Sequence, residues 1–237
     1  MNGRKVLFWS LVLSAGLITL TYLQRRRSRQ PAETKPAMPN QALYHRLAPL
    51  YDRLFDATYA RARQRTVERL AMQPGEQLLI LGIGTGLDLP AIPADVNVTG
   101  IDISAEMLQQ AARKHSCASV RLIQMDAQCL DLPSDSFDAA LLNLIVSVAP
   151  DGHAVFQEAW RVLKPGGRLV LFDKFLPEGQ SINLPRRALG KLFNWIGTDI
   201  NRKLSDVLGD LENGTVRCNE ASVFGGQYRI VVLEKGT

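Results

Sequence analysis

Three glycines at alternate positions, Gly82, Gly84 and Gly86, follow the apolar run 78–81. A second apolar run, 98–101, ends at Asp102. A glycine turn after a parallel strand lets the backbone approach a nucleoside-containing ligand, and a carboxylate at the end of the next strand can hold the ribose hydroxyls. Dinucleotide-binding turns have the spacing G-x-G-x-x-G, whereas this chain has G-x-G-x-G. The tighter spacing favours S-adenosylmethionine (SAM), which has no pyrophosphate to bind at a helix N-terminus.

Alternating strands and helices are predicted to position these residues. The pattern predicts helices from Ser104, which can cap the first one, to His115 and over 154–163. Further helices are predicted over 40–72, divided at Pro49, and over 184–196. The final two strands flank a Phe224-Gly-Gly turn and predict a hairpin. The predicted strands cover residues 78–81, 98–101, 120–123, 137–142, 168–172, 214–221 and 227–234.

This order predicts an α/β fold of the Rossmann-like type. Its sheet is doubly wound, mostly parallel and seven-stranded, with an antiparallel C-terminal hairpin. One N-terminal transmembrane helix precedes it. The domain boundaries that we predict are 1–23 for a membrane anchor, 24–40 for a basic, proline-containing linker and 41–237 for the catalytic domain.

The net charge of +5 over 237 residues is concentrated at the N-terminus. Residues 1–40 carry seven Lys or Arg and one Glu, so the rest of the chain has a net charge of −1. This distribution argues against a nucleic-acid partner. The three cysteines form no close pair and the three histidines lack an H-x-x-x-H spacing, so we expect neither a disulfide framework nor a metal site.

Residues 6–23 contain no charged side chain. As a helix they would extend about 27 Å, close to the roughly 30 Å of a bilayer core. The four arginines within 25–29 outnumber the two basic residues before the run, which favours a cytoplasmic C-terminal domain. We therefore predict a single-pass anchor in the inner (cytoplasmic) membrane, with Arg25–Arg29 against anionic headgroups. The alternatives are an uncleaved interfacial helix and a cleaved signal peptide, which the lack of a small-residue cleavage site disfavours.

Several motifs, in order, resemble those of the class I SAM-dependent methyltransferases over roughly residues 75–175. The segments GIDISAEML at 100–108, QMDA at 124–127, SFDA at 136–139 and LKPGGRL at 163–169 are similar to motifs that follow the glycine loop in that family. The resemblance implies SAM as cofactor, with Asp102 on the ribose and Asp126 on the adenine amino group. The further cofactor contacts that it implies are Gly82, Gly84, Gly86, Asp88, Ile103, Met107, Ala127 and Asn143.

One position departs from the family pattern. The family usually has Asp or Glu two residues before the first glycine, where the acid helps to hold the methionine ammonium of SAM. This chain has Ile80 there. Either SAM binds more weakly or another acid substitutes, and Asp88 is our candidate. A non-catalytic SAM-binding scaffold at the membrane is the alternative from another class that Ile80 leaves open.

The acceptor is predicted from the segment YHRLAPLYD at 44–52. It resembles the lead-in helix of quinone-biosynthesis methyltransferases and of bacterial phosphatidylethanolamine N-methyltransferases. The continuation GLDLP at 86–90 and the FGG at 224–226 favour the phospholipid group. We predict a methyltransferase acting on an amphipathic or lipid-like acceptor, with a phospholipid amine headgroup first. A quinone precursor and a small thiol are the alternatives, and the candidate catalytic residues are Tyr44, Tyr51 and Asn143.

Overall fold

The computed structural model describes residues 59–114, 118–179 and 198–237. Within them a helix, α1, covers 59–70 and a 3-10 turn covers Leu89–Ala91. The other helices are α2 (Ala105–Ala111), α3 (Gly152–Val162) and α4 (Leu204–Leu208). The strands are β1 (Gln77–Leu81), β2 (Asn97–Asp102), β3 (Ser119–Gln124), β4 (Phe137–Asn143), β5 (Leu163–Lys174), β6 (Gly214–Ala221) and β7 (Tyr228–Lys235).

The seven strands form one sheet in the order β3-β2-β1-β4-β5-β7-β6. Strands β1 to β5 run parallel to one another, and β7 is antiparallel to both of its neighbours, β5 and β6. The chain moves outward from β1 to β3 and then crosses to β4 on the other side of β1. In open α/β sheets a crevice forms at the carboxyl ends of the strands where the order reverses, here between β1 and β4.

Apolar layers cover both faces of the central strands. Leu78 and Ile80 of β1 belong to the layer on the α1 face, whereas Leu79 and Leu81 belong to the layer that contains α3. Because both faces are buried, β1 is apolar at four consecutive positions rather than at alternate ones. This burial fixes the sheet and therefore the position of the loops that follow its carboxyl edge.

The predicted sheet is confirmed, including all seven strand positions and the C-terminal hairpin, but two boundaries differ by four residues or more from the predicted ones. β5 begins at Leu163 rather than at 168, because the Lys164–Gly167 segment bulges within the strand and the register shifts between Phe137 and Ala139 of β4. Helix α2 ends at Ala111 rather than at 115, since Lys114 already bonds the Ala111 carbonyl in a tighter turn.

The predicted N-terminal elements lie outside the described residues. These are the span 6–23, the linker 24–40, the segment that contains Tyr44 and Tyr51, and also the predicted helix 184–196. Within 59–114, 118–179 and 198–237, every helix is too short or too polar to cross a bilayer.

Candidate active site

The glycine loop turns sharply from β1 toward the carboxyl edge of the sheet. Its three glycines have φ of +65°, +55° and +76°, in the left-handed region that favours glycine. A Cβ on Gly82 would lie 2.7 Å from Cδ1 of Ile145, in the loop after β4. The Ile83 amide donates to the Ile101 carbonyl at 2.9 Å, which ties the loop to β2. Among these three glycines only Gly84 has no described atom within 4 Å of a Cβ position, so the loop has free space there.

Asp102, the last residue of β2, is bound to the glycine loop. Its two carboxylate oxygens accept from the amides of Gly84 and Ser104, each at 2.9 Å. The Ser104 hydroxyl in turn accepts from the Met107 amide and caps α2. A carboxylate offers about four lone-pair sites. Two therefore remain for donors such as ribose hydroxyls, so Asp102 fits the predicted role.

The end of β3 lies beside the end of β2. The Met125 amide donates to the Asp102 carbonyl at 3.0 Å, which brings the half-buried Asp126 to the same edge. Asp126 accepts from the amide of Gln128 at 2.9 Å, and the neighbouring Ala127 is nearly buried. Ile103, 62% exposed, presents an apolar side chain next to Asp102. These residues can provide a carboxylate and an apolar surface for a heterocyclic ring.

A buried polar cluster lies at the end of β4. Asn143 and Asp88 are only 8% and 5% exposed. The Asn143 amide nitrogen donates to Asp88 Oδ1 at 3.0 Å and to Thr66 Oγ1 of α1 at 3.1 Å, and Arg63 Nε lies 3.7 Å from the same Asp88 oxygen. Among the described residues Asn143 Oδ1 has no hydrogen-bond partner. A buried acceptor without a partner costs free energy, so this oxygen suits a ligand donor.

The position of Ile80 explains how this cluster could replace the missing acid. Ile80 is 1% exposed, packs in the apolar layer on the α1 face and pairs with Leu141 of β4. Asn143 lies two residues beyond Leu141 and therefore on the same face of the sheet. The Asp88–Asn143 pair thus lies one step closer to the carboxyl edge than Ile80, where an ammonium group could reach it.

A cavity of about 630 Å³ lies between α1 and the turn after the glycine loop. Arg63 and Asp88 line it together with the apolar side chains of Val67, Met72 and Pro90. Asp88 belongs both to this cavity and to the buried cluster at the end of β4.

A second polar group, the β5-end cluster, consists of Ser147, Asp173, Lys174 and Thr198. The fully buried Asp173 accepts from the Ser147 amide at 3.0 Å. The Lys174 amine donates to the hydroxyls of Ser147 at 3.0 Å and Thr198 at 2.6 Å. Burial raises the pKa of Asp173 and lowers the pKa of Lys174, because each group loses hydration of its charged form.

The structure brings the predicted residues that it describes to one edge of the sheet, while Tyr44 and Tyr51 lie outside the described residues. Sequence reasoning missed Arg63 and Thr66, which are indistinguishable from other polar positions of a predicted helix. It also missed the pair at 173–174, although two charged residues directly after the apolar run of β5 were a usable signal.

Comparisons with known proteins identify several methyltransferases that this chain resembles. Residues 79–171 match the family described as a methyltransferase domain. A phosphatidylethanolamine N-methyltransferase of Cereibacter sphaeroides is 34% identical over 165 residues, which cover 68% of this chain and 81% of that protein. The ubiquinone/menaquinone biosynthesis C-methyltransferase UbiE of Geotalea daltonii is 32% identical over 149 residues, covering 58% of this chain and 63% of that protein.

Among solved structures, an arsenic(III) S-adenosylmethionine methyltransferase from Chlamydomonas reinhardtii has a TM-score of 0.51 at 22% identity. The match covers 68% of this chain and 62% of that chain. At this identity the match bears on the fold alone.

Proposed function

We propose that this chain, which belongs to the class I SAM-dependent methyltransferases, methylates a lipid-like acceptor, with a phospholipid amine headgroup as the preferred nucleophile. SAM is the methyl donor of the family, and the chain is an enzyme of this class. The observation that carries the choice of acceptor is the 34% identity to a phosphatidylethanolamine N-methyltransferase across 81% of that protein.

The proposed adenosine site is formed by the ends of β1, β2 and β3. Asp102 accepts from the ribose hydroxyls with the lone pairs that the amides of Gly84 and Ser104 leave open. Asp126 accepts from the adenine amino group, and Ile103 and Met107 cover a face of the ring. The loop glycines leave room for the sulfonium end of the molecule to approach the backbone.

The proposed ammonium site is the Asp88–Asn143 pair. Asp88 supplies the negative charge that Ile80 cannot, and the unpartnered Asn143 Oδ1 supplies a second acceptor. Arg63 Nε lies 3.7 Å from the same carboxylate and offsets part of its negative charge. This lowers the free-energy cost of burying Asp88 before the ligand binds.

SAM supplies an activated methyl group on a sulfonium. The chain's residues bring that methyl group and the acceptor into line and exclude water, and orientation of this kind lowers barriers by several kcal/mol without a catalytic dyad. A primary ammonium, with a pKa of about 10, must also lose a proton before it can attack. The polar groups at the ends of β4 and β5 are the ones placed to assist.

A further observation supports an amphipathic acceptor. The sequence contains the uncharged run 6–23, which we propose to be a single-pass anchor. The arginines of 25–29 follow this run and favour a catalytic domain at the cytoplasmic leaflet.

The test uses full-length protein, methyl-labelled SAM and three acceptors in parallel. These are vesicles of phosphatidylethanolamine, a demethylated quinol in neutral vesicles, and a small aqueous thiol. We expect label in the phospholipid fraction. Label only in the quinol or only in the thiol would contradict the proposed acceptor, and no transfer to any of them despite tight SAM binding would favour the scaffold alternative.

A quinone precursor is the second candidate, favoured by the 32% identity to UbiE over 63% of that protein. Carbon methylation of a quinol requires a deprotonated ring hydroxyl rather than a neutral amine. The phospholipid and the quinol therefore differ in which extracted fraction carries the labelled methyl group. Both acceptors require the same SAM site.

A further inference from the structure

Lys174 lies on the same face of the sheet as Asn143, at the carboxyl edge. Asn143 of β4 pairs with Phe172 of β5, and Lys174 lies two residues further along β5. Two residues advance a strand by about 6.6 Å, and neighbouring strands lie about 4.8 Å apart. Lys174 therefore lies at the carboxyl edge of the sheet beside the end of β4, on the side away from β1. The proposed cofactor site lies on the β1 side, which leaves this side for the acceptor.

The Lys174 amine is hydrogen-bonded to hydroxyls rather than to carboxylates among the described residues. These partners are the hydroxyls of Ser147 and Thr198. Asp173, its neighbour in sequence, accepts instead from the backbone amides of Ser147 and of Lys174 itself. Within the part of the chain that the structure describes, no carboxylate forms an ion pair with this amine. The ammonium form of Lys174 therefore loses hydration through burial, and no described carboxylate forms an ion pair that would compensate.

The charges around the amine act in both directions. Burial lowers the pKa of Lys174 most strongly, and the positive charge of Arg202 lowers it further. The carboxylates of Asp173 and Asp199 raise it, but Asp199 also forms an ion pair with Arg202, at 3.6 Å. The pKa of Lys174 is consequently lower than that of an ordinary lysine, and the neutral amine is accessible closer to neutral pH.

We propose that Lys174 accepts the proton that the acceptor's nucleophile must lose before it attacks the methyl group. The lone pair of the nucleophile forms the bond to the methyl carbon, and the electron pair of the breaking carbon–sulfur bond stays on sulfur. The N–H or O–H proton of the nucleophile moves to the neutral Lys174 amine, which becomes an ammonium and later returns the proton to solvent. Ser147 and Thr198 hold the amine in position. This role deepens the proposed function and depends only on its methyl-transfer step.

Lys164 provides a matched control on the same strand. It lies at the opposite, amino-terminal end of β5, where its amine donates to Asp138 Oδ1 at 2.6 Å on the protein surface. Lys174→Met and Lys164→Met thus each remove one amine from β5, but only the first removes it from the carboxyl edge. Lys174→Arg is the decisive third variant, because a guanidinium keeps a positive charge and hydrogen-bond donors but cannot accept a proton.

The experiment measures kcat against pH for the full-length variants with saturating SAM and whichever acceptor the wild type methylates. We expect Lys174→Met and Lys174→Arg to lower kcat by about 10²- to 10⁴-fold at neutral pH, the usual contribution of a general base. Their affinity for S-adenosylhomocysteine should stay within twofold of the wild type. The acidic limb of the wild-type profile should disappear in both, and Lys164→Met should match the wild type.

Retention of more than a third of wild-type kcat in Lys174→Arg, or an unchanged acidic limb in Lys174→Met, would overturn the proposal. If Lys174 only held β5 to the loop at Ser147, an arginine would preserve part of that contact and therefore part of the activity. If either variant fails to fold, nitrogen NMR of the wild type with labelled lysines tests the proposal instead. The proposal then requires the Lys174 amine to titrate at a lower pH than every other lysine. A wild type that methylates a quinol but no phospholipid contradicts the proposed acceptor and leaves this test valid.

Discussion

Substitution of Asp88 by asparagine tests how the chain compensates for Ile80. The amide has the shape of the carboxylate and can keep the hydrogen bond from Asn143, now 3.0 Å long, but it removes the negative charge. Because Asp88 is buried, solvent screens that charge little. Loss of a hydrogen bond to a charged group costs about 1.5–3 kcal/mol, so the affinity for S-adenosylhomocysteine should fall by about 10- to 100-fold.

The assay is isothermal calorimetry with two ligands that share the adenosine part. S-adenosylhomocysteine carries the ammonium, whereas 5′-methylthioadenosine lacks the amino-acid portion. We expect Asp88→Asn to weaken binding of the first and to leave binding of the second within twofold. Asp95→Asn is the matched control, since Asp95 is exposed on the loop that follows the same turn.

The same variant also removes the negative charge that lies 3.7 Å from Arg63 Nε. We expect a loss of about 1–3 kcal/mol in the free energy of unfolding, measured in urea with an unchanged m-value. An affinity for S-adenosylhomocysteine that falls by less than threefold would refute the reasoning. Equal weakening of both ligands would refute it as well, because it would mean that the site as a whole was distorted.

Two further predictions concern stability. Gly82→Ala should lower the free energy of unfolding by about 1–3 kcal/mol, because the residue has φ of +65° and its new Cβ would meet the Ile145 side chain. Gly75→Ala, with φ of +83° but no described atom within 4 Å of the new Cβ, should lower the free energy of unfolding by less. Equal losses for the two variants in urea unfolding would show that the contact with Ile145 does not contribute. Burial alone would raise the pKa of Asp138, but a backbone amide and the Lys164 ammonium outweigh it and lower the pKa below its ordinary value of 3.8. The pair therefore stabilises the fold above that value and loses its effect as the pH falls through the folded-state pKa of Asp138. Lys164→Met should cost about 0.2–1 kcal/mol at pH 7, and this cost should shrink as the solution is acidified below pH 3.8. A cost independent of pH would be the contrary result.

The parts of the fold that the sequence predicts are those governed by local pattern. Four consecutive apolar residues in β1 and the glycines behind it specify a buried strand and a turn whatever packs around them. The bulge at Lys164–Gly167 was missed because it depends on pairing with β4, which the local sequence does not specify. The early end of α2 was missed because its apolar spacing continues beyond the last full helical turn.

The candidate site divides in the same way. Asp102 and Asp126 could be predicted because Asp102 ends β2 and Asp126 lies two residues beyond β3, both at the carboxyl edge of the sheet. The contacts of Asn143 with Thr66 and of Asp88 with Arg63 could not be predicted, because α1 precedes the sheet and reaches the site only through tertiary packing. Sequence reasoning did nominate Asp88 as the substitute for the acid absent at Ile80, and the unpartnered oxygen of Asn143 adds a second acceptor beside it.

The most direct test of the account is a crystal structure of the full chain with S-adenosylhomocysteine. The account predicts the nucleoside at the carboxyl ends of β1 and β2, with both ribose hydroxyls within hydrogen-bond distance of Asp102. It predicts the ammonium within reach of Asp88 and of Asn143 Oδ1. A ligand bound away from this edge would contradict the account, as would one whose ammonium contacts neither Asp88 nor Asn143.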